Sequence, residues 1–328
     1  MSGSDEFADI ARRFAPLSFG APEALGLLDD AALIGARPGY DLVITQDALV
    51  EGVHFMPHER ADRVAQKLLR TNLSDLAAKG AQPYGCFLSI SWPSHYDNAA
   101  RDLFAAALKT DLAQYGLALF GGDTTSTPGP LTASLTALGW VKAGSMVRRA
   151  GARAGDLIFV SGTIGDAYLG LKLARGEDLG LSDADQAFLL DRYHRPQPRL
   201  DLRLALLTHA RAAADVSDGL IADCGHIARA SGLGVGLELE KMPLSTAARR
   251  WVAAATDPTK ALLDLATGGD DYEVVCAARS GSLQSMAPAT GGIGAVMTGI
   301  GQFWGQPEVR VSFNGVVLRF AEAGYQHR

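Results

Sequence analysis

The residues whose types and positions could do chemistry are aspartates. Asp29-Asp30 precedes the apolar Ala31 to Ile34, Asp47 closes a predicted strand at Asp41 to Thr45, and Asp75 lies on a predicted helix just after Asn72. Asp123 follows Gly121-Gly122, Asp215 and Asp218 flank Val216-Ser217, and Asp270-Asp271 follows Gly268-Gly269. Most of them fall at the ends of predicted elements, where loops on a rigid scaffold carry sites. Carboxylates a few ångströms apart repel and raise each other's pKa, so they converge only where something positive compensates them. Hard divalent cations accept several carboxylate oxygens and suit nucleotide phosphates. If these loops meet in space, they imply magnesium, and magnesium among glycine-rich loops implies phosphoryl chemistry.

Each feature also has a plainer reading. Asp29-Asp30 suits an ordinary turn. Asp75 is one helical turn from Lys79 and suits a surface ion pair. Ser217 or Asp218 suits an N-cap for a helix starting at Gly219. Gly121-Gly122-Asp123 favours function over a turn because two hydroxyls, Thr124 and Thr125, follow at once. His54 suits a packed histidine beside Phe55, and Pro57 argues against a helical His54/His58 metal pair. Cys224 and His226 are too isolated for a zinc site. Familiar phosphate loops are missing. There is no G-x-x-x-x-G-K-[ST], and the dinucleotide-like Gly232-Leu233-Gly234 and Gly292-Ile293-Gly294 lack their third glycine.

The elements that must position these residues alternate between helix and strand, so the class is α/β or α+β. Val64, Leu68, Leu69, Leu73 and Leu76 form one stripe of a helix at Ala61 to Lys79, stopped by Gly80. A second helix is predicted at Asn98 to Tyr115, ended by Gly116. Strands are predicted at Asp41 to Thr45, Cys86 to Ile90, Leu117 to Phe120 and Leu131 to Val141. The second half adds strands at Leu157 to Ser161, Tyr272 to Cys276 and Val309 to Phe313, with a hairpin at Asn314-Gly315 into Val316 to Leu318. Its predicted helices are Asp166 to Ala174, Asp183 to Tyr193, Leu200 to Ala212 and Gly219 to Ala230. The Gly-, Ala- and Arg-rich stretch from Ala143 to Gly155 is the predicted boundary, giving domains at 1–145 and 146–328.

At 328 residues, 48% hydrophobic and 20% charged, the chain suits two globular domains. A net charge of -6 opposes nucleic acid and anionic membrane. The basic cluster is Arg148, Arg149 and Arg153. Three scattered cysteines, Cys86, Cys224 and Cys276, form no disulfide pattern and fit a reducing compartment. Met1 to Gly20 lacks an apolar signal region, and Leu131 to Val141 is too short to span a membrane. The expected location is the cytoplasm.

Read in order, the loops resemble the thiamine-monophosphate kinase family, within the superfamily of aminoimidazole ribonucleotide synthetase and selenophosphate synthetase. The strings are Gly26 to Ala32, Thr45-Gln46-Asp47 running on to Phe55, Asn72 to Ala78, Gly121 to Thr125, Asp215 to Leu220, and Gly268 to Glu273, with the tail Gly324-Tyr325-Gln326-His327. The resemblance implies an N-terminal α/β domain that binds metal and ATP and pairs with its twin in a homodimer. It also implies a C-terminal α/β domain, with ATP and several Mg2+ ions between the two. It implies metal ligands at Asp30, Thr45, Gln46, Asp47, Asp75, Asp123, Asp215 and Asp218. ATP contacts are implied at Gly122, Arg149 and Ser217, and substrate contacts at His54, Asp270 and Tyr325. The implied reaction is direct transfer from ATP to thiamine monophosphate without a protein nucleophile. The acceptor is already an ionised phosphate monoester, so charge neutralisation and positioning do the work.

The chain departs from the family pattern at Leu28 (for glycine), Gln46 (for a hydroxyl residue), Lys79 (for methionine), Asp270 (for glutamate) and Arg328 (for phenylalanine). The alternatives are another ATP-using enzyme of the superfamily, with a different small acceptor, and a nucleotide- and metal-binding regulatory protein without turnover. A selenophosphate synthetase is disfavoured because no N-terminal cysteine and glycine-rich loop precede the first aspartate. A hydrogenase-maturation relative would carry a C-terminal cysteine.

Overall fold

The computed structural model describes residues 8–282, 296–321 and 323–325. The N-terminal Met1 to Phe7, the Gly292-Ile293-Gly294 string and the tail residues Gln326, His327 and Arg328 lie outside them. The chain divides into two compact units. The first holds the residues up to Leu76 and Ala81–Gly144, and the second holds Ala77–Gly80 and Ser145–Arg328.

The first unit is a four-stranded sheet with two long helices. Its strands are β1 (Tyr40–Val50), β2 (Gln82–Trp92), β3 (Ala118–Ser126) and β4 (Thr132–Lys142), in the order β1-β4-β2-β3. β4 runs antiparallel to β1 and β2, and β3 is parallel to β2. Helix α1 (Ala61–Ala78) starts where the stripe predicts, and Val64, Leu68, Leu69, Leu73 and Leu76 are all at most 1% exposed. Thr71, Asn72 and Ser74 are buried too, so the helix is enclosed on more than its apolar face. Its buried Arg70 meets the buried Asp111 through two hydrogen bonds, at 2.6 and 3.0 Å. Asp111 sits on α2 (Asn98–Tyr115), which Asp97 caps by accepting the Ala100 N–H. The left-handed Gly116 ends α2.

The second unit is built on a seven-stranded mixed sheet ordered β11-β10-β7-β9-β5-β8-β6. Its strands are β5 (Leu157–Ser161), β6 (Ala210–Asp215), β7 (Gly234–Glu238), β8 (Val274–Ala278), β9 (Met297–Trp304), β10 (Val309–Phe313) and β11 (Val316–Leu318). Its helices are α3 (Asp166–Ala174), α4 (Asp183–His194), α5 (Arg203–His209), α6 (Leu220–Ser231), α7 (Thr246–Ala254) and α8 (Pro258–Thr267). Alternate residues of the central strands feed two separate cores. Ile158, Val160, Ala212, Ala214, Val275 and Ala277 join one, and Phe159, Ala213, Val274, Cys276 and Ala278 join the other. A sheet covered on both faces needs unbroken apolar strands, and these supply them.

The structure corrects several sequence expectations. The helix predicted at Leu200 to Ala212 breaks into a 3-10 turn at Leu200–Leu202, the short α5, and β6. The alanines of β6 favour helix intrinsically, but burial on both sheet faces decides their conformation. Strands β7 and β9 and helices α7 and α8 were not predicted. Asp47 and Asp123 lie within β1 and β3 rather than past their ends. No helix among the described residues is long and apolar enough to cross a membrane.

Candidate active site

In the first unit, β1 places Thr45 and Asp47 on one face and Gln46 on the other, because strand side chains alternate. Thr45 Oγ1 donates to Asp75 Oδ2 at 2.5 Å, which joins β1 to α1. The Asp47 N–H donates to Asn72 Oδ1 at 3.1 Å, and Asn72 Nδ2 donates to the Leu68 carbonyl at 2.9 Å. The Asn72 side chain thus fixes where Asp47 stands. Burial, and then the charge of Asp75, push the Asp47 carboxyl up to about 6. Gln46 is directed away from this cluster, and its Nε2 donates to Ser134 Oγ at 3.2 Å. Asp75 therefore meets Thr45, while Lys79, its expected partner, donates to the Ala213 carbonyl at 2.9 Å.

Asp30 and Asp123 line one groove of about 580 Å³ with Asp29, Gly121, Gly122 and Thr124. Gly122 pairs with Leu88 across the parallel β2-β3 ladder, and a Cβ on it would stand 1.8 Å from the Leu88 carbonyl oxygen. Only glycine fits there, because the β2 backbone approaches on the side where a Cβ would stand. Thr124 accepts from Trp92 Nε1 at 3.1 Å, and Thr125 shares a hydrogen bond with Ser91 at 2.9 Å. Leu28, in the family's glycine position, has φ -110° and so needs no glycine freedom. His54 Nδ1 accepts the Val50 N–H at 3.0 Å, so its neutral ring carries the proton on Nε2.

In the second unit, the predicted Asp215, Ser217, Asp218, Asp270 and Tyr325 come together around one turn. Asp215 ends β6 and is buried. The Asp270 N–H donates to the Ser217 carbonyl at 2.9 Å, and the Tyr325 N–H donates to the Asp218 carbonyl at 2.8 Å. Asp270 sits at φ 70°, a left-handed conformation that aspartate tolerates, and Oδ1 accepts from the Tyr272 hydroxyl at 3.3 Å. Tyr325 is half-exposed. Neither Ser217 nor Asp218 caps the helix, because Gly219 is its N-cap and carries no side chain. Instead, the N–H groups of Ser217, Asp218 and Gly219 all donate to Asp223 Oδ2, at 3.1, 3.1 and 3.2 Å. Asp223 is a positioning residue that the sequence reading missed. Its signal was an acidic residue in the first turn of the helix after a Ser-Asp-Gly loop. The exposed Arg149 makes no hydrogen bond or ion pair to the other candidates among the described residues.

Beneath this turn lies a buried charged network. Glu273 is fully buried and receives Arg192 at 2.9 Å, Arg199 Nε at 2.6 Å, a second Arg199 nitrogen, and Ser161 Oγ at 2.5 Å. Its backbone carbonyl accepts the Val216 N–H, next to Asp215. A Cβ on Gly162 would stand 2.2 Å from Glu273 Oε1. Asp271 accepts the Gly165 N–H at 2.7 Å, and burial raises its pKa well above the usual value.

Thr45, Asp47 and Asp75, brought together in the first unit, offer carboxylate and hydroxyl oxygens, the set a hard divalent cation takes. The raised Asp47 carboxyl gives a prediction for the protein without metal. Asp47 favours the protonated native state, so its contribution is full below its ordinary 3.8 and is lost as pH rises through about 6. Above that, the folded protein carries a half-buried carboxylate held against Asp75. Metal-free Asp47→Asn is therefore expected to be more stable than the wild type at alkaline pH, by about 3 kcal/mol. The difference should vanish in acid, and denaturant melts across pH check it.

Residues 28–141 match the family model of the AIR synthase related protein N-terminal domain, and residues 153–298 match that of its C-terminal domain. The fold and site thus define a two-domain AIR synthase related protein. A thiamine-monophosphate kinase of Caulobacter vibrioides is 49% identical over 98% of this chain and 90% of its own. The crystal structure of thiamine-monophosphate kinase from Stenotrophomonas maltophilia K279a superposes with a TM-score of 0.83 at 37% identity, over 95% of this chain and 98% of that one. AaThiL complexed with AMPPCP and TMP gives 0.78 at 27% identity, over 90% and 89% of the two chains. The chain belongs to the thiamine-monophosphate kinase family.

Proposed function

We propose that this protein phosphorylates thiamine monophosphate to thiamine diphosphate, with ATP as the donor and Mg2+ as the cofactor. The observation that carries the reading is the 49% identity to the Caulobacter thiamine-monophosphate kinase over almost the whole chain. A structural relative bound to an ATP analogue and to thiamine monophosphate supports both ligands. Asp30, Thr45, Asp47, Asp75, Asp123, Asp215 and Asp218 are the proposed metal ligands; Gln46 is left out, because its side chain faces away from Thr45 and Asp47 and meets Ser134. When bound, Mg2+ would neutralise the charge of the phosphates being brought together.

The chain's own residues bind and position. Gly122, Ser217 and Arg149 are the proposed ATP contacts; the Ser217 N–H and carbonyl already meet Asp223 and Asp270, so its hydroxyl is the group proposed for the nucleotide, and Arg149 supplies positive charge from its exposed loop. No side chain need act as nucleophile or strong base, since the acceptor oxygen is already ionised. His54 presents an Nε2–H suited to the substrate phosphate. Tyr325 offers a half-exposed ring on which a cationic thiazolium or a pyrimidine can stack, and Asp270 stands on the same turn. We also propose the homodimer and the cytoplasmic location that the family resemblance implies.

The test is ADP release by the purified protein with Mg2+-ATP, with and without thiamine monophosphate. Release that requires the monophosphate and yields thiamine diphosphate is expected. ATP binding without such release would leave a nucleotide-binding role instead. His54→Ala and Tyr325→Ala are each expected to raise KM for the monophosphate by about tenfold, while leaving KM for ATP near its starting value. If only the ATP constant moves, these two residues do not touch the acceptor.

A further inference from the structure

Outside the candidate site, the first unit gathers a carboxylate and two imidazoles. The ligand atoms of Glu51, His58 and His95 lie within 4.8 Å of one another. Glu51 follows the end of β1, His58 lies in the turn before α1, and His95 follows β2. The Glu51 side chain is buried and fixed by backbone donors. Its Oε1 accepts the His58 N–H at 2.7 Å and its Oε2 accepts the Leu131 N–H at 3.0 Å. His95 Nε2 stands 3.2 Å from Oε1, and the two exposed imidazoles meet edge to face with centroids 4.8 Å apart.

We propose that Glu51, His58 and His95 form a binding site for a borderline divalent cation of the Zn2+ class. Imidazole nitrogen suits such ions, whereas Mg2+ takes oxygen donors and keeps its waters. In a tetrahedral site with bonds of about 2.0–2.1 Å, ligand atoms stand about 3.4 Å apart. The 3.2 Å between Glu51 Oε1 and His95 Nε2 already fits that spacing. His58 reaches it by rotating an exposed side chain, and the solvent side leaves a fourth position for water. The backbone donors to Glu51 hold the ligating carboxylate in place, as outer partners of metal sites do.

Occupancy would also brace a functional segment. Glu51 and His58 bracket His54, whose ring accepts the Val50 N–H and whose carbonyl accepts from the buried Lys67 at 3.2 Å. An ion bound by Glu51, His58 and His95 would tie both ends of that segment to the end of β2. That consequence rests on the proposed role of His54, but the site itself does not.

The test titrates the full-length protein with Co2+ at a pH of about 7.5, where imidazole is mostly neutral. Saturating Mg2+ occupies the oxygen-donor sites. One equivalent of Co2+ is expected to give the strong visible absorption of a low-coordinate, nitrogen-ligated ion, and Zn2+ should displace it. His58→Ala and His95→Ala should each abolish the band and weaken Zn2+ binding by at least about tenfold. Both should keep the wild-type circular dichroism and the turnover seen with Mg2+ alone. No band in the wild type, or a band that persists in either variant, would overturn the site.

Discussion

Asp123→Asn is expected to fold like the wild type and lose roughly three orders of magnitude in turnover, about 4 kcal/mol of transition-state stabilisation. The side chain is exposed in the groove it shares with Asp30, and its strand pairing with Ser89 runs through the backbone. Asparagine keeps that shape and removes only the charge. If Asp123 holds metal as proposed, it balances charge between two anionic substrates, so the effect should fall on kcat, with the melting temperature unchanged. Steady-state kinetics with saturating Mg2+-ATP and thiamine monophosphate measure it. Full activity in the variant would remove Asp123 from the proposed metal site.

Asp223→Ala should cost both stability and turnover. One carboxylate oxygen holds the N–H groups of Ser217, Asp218 and Gly219. Those residues in turn accept from Asp270 and Tyr325 through the Ser217 and Asp218 carbonyls. Alanine leaves the three donors without their acceptor, at a cost of about 3 kcal/mol. It also frees the turn that carries two proposed ligands and two proposed substrate contacts, so kcat should fall about a hundredfold. Asp223→Asn keeps one carbonyl acceptor in place and should recover much of the stability. A purely structural role would let kinetics recover in step with the melt. A positioning role predicts that Asp223→Asn still shows a raised KM for the monophosphate, because the neutral acceptor holds the turn less firmly.

Much of the fold was legible where one periodicity dominated. The leucine stripe set α1, and the Asn-Gly turn set the β10-β11 hairpin. The strands missed were those rich in glycine, where side-chain pattern is thin. Gly236 in β7 is required because a Cβ there would meet the Trp304 ring at 2.2 Å, a constraint imposed by β9 and invisible along the chain. β6 was hidden by its alanines, whose helical preference yields to double-sided burial. In the site, the aspartates were identifiable by motif, but their local geometry was not. Asp47 and Asp123 stand inside strands, where the Asn72 side chain takes the Asp47 N–H and the bare Gly122 beside Asp123 lets the β2 backbone approach. Gln46 shares the Thr45 to Asp47 string yet faces away, because strand alternation separates neighbours in sequence.

The burial of Glu273 has a consequence for how this chain can vary over evolution. Its carboxylate is held by Arg192, Arg199 and Ser161, and it fills the space that any side chain at residue 162 would need. Removing either arginine leaves a buried charge undercompensated, and enlarging Gly162 displaces the carboxylate itself. Single steps away from this set are therefore disfavoured, and viable descendants should change these positions jointly or not at all. Positions 162, 192, 199 and 273 should accordingly be inherited as one linked block, although they are scattered over more than a hundred residues of sequence.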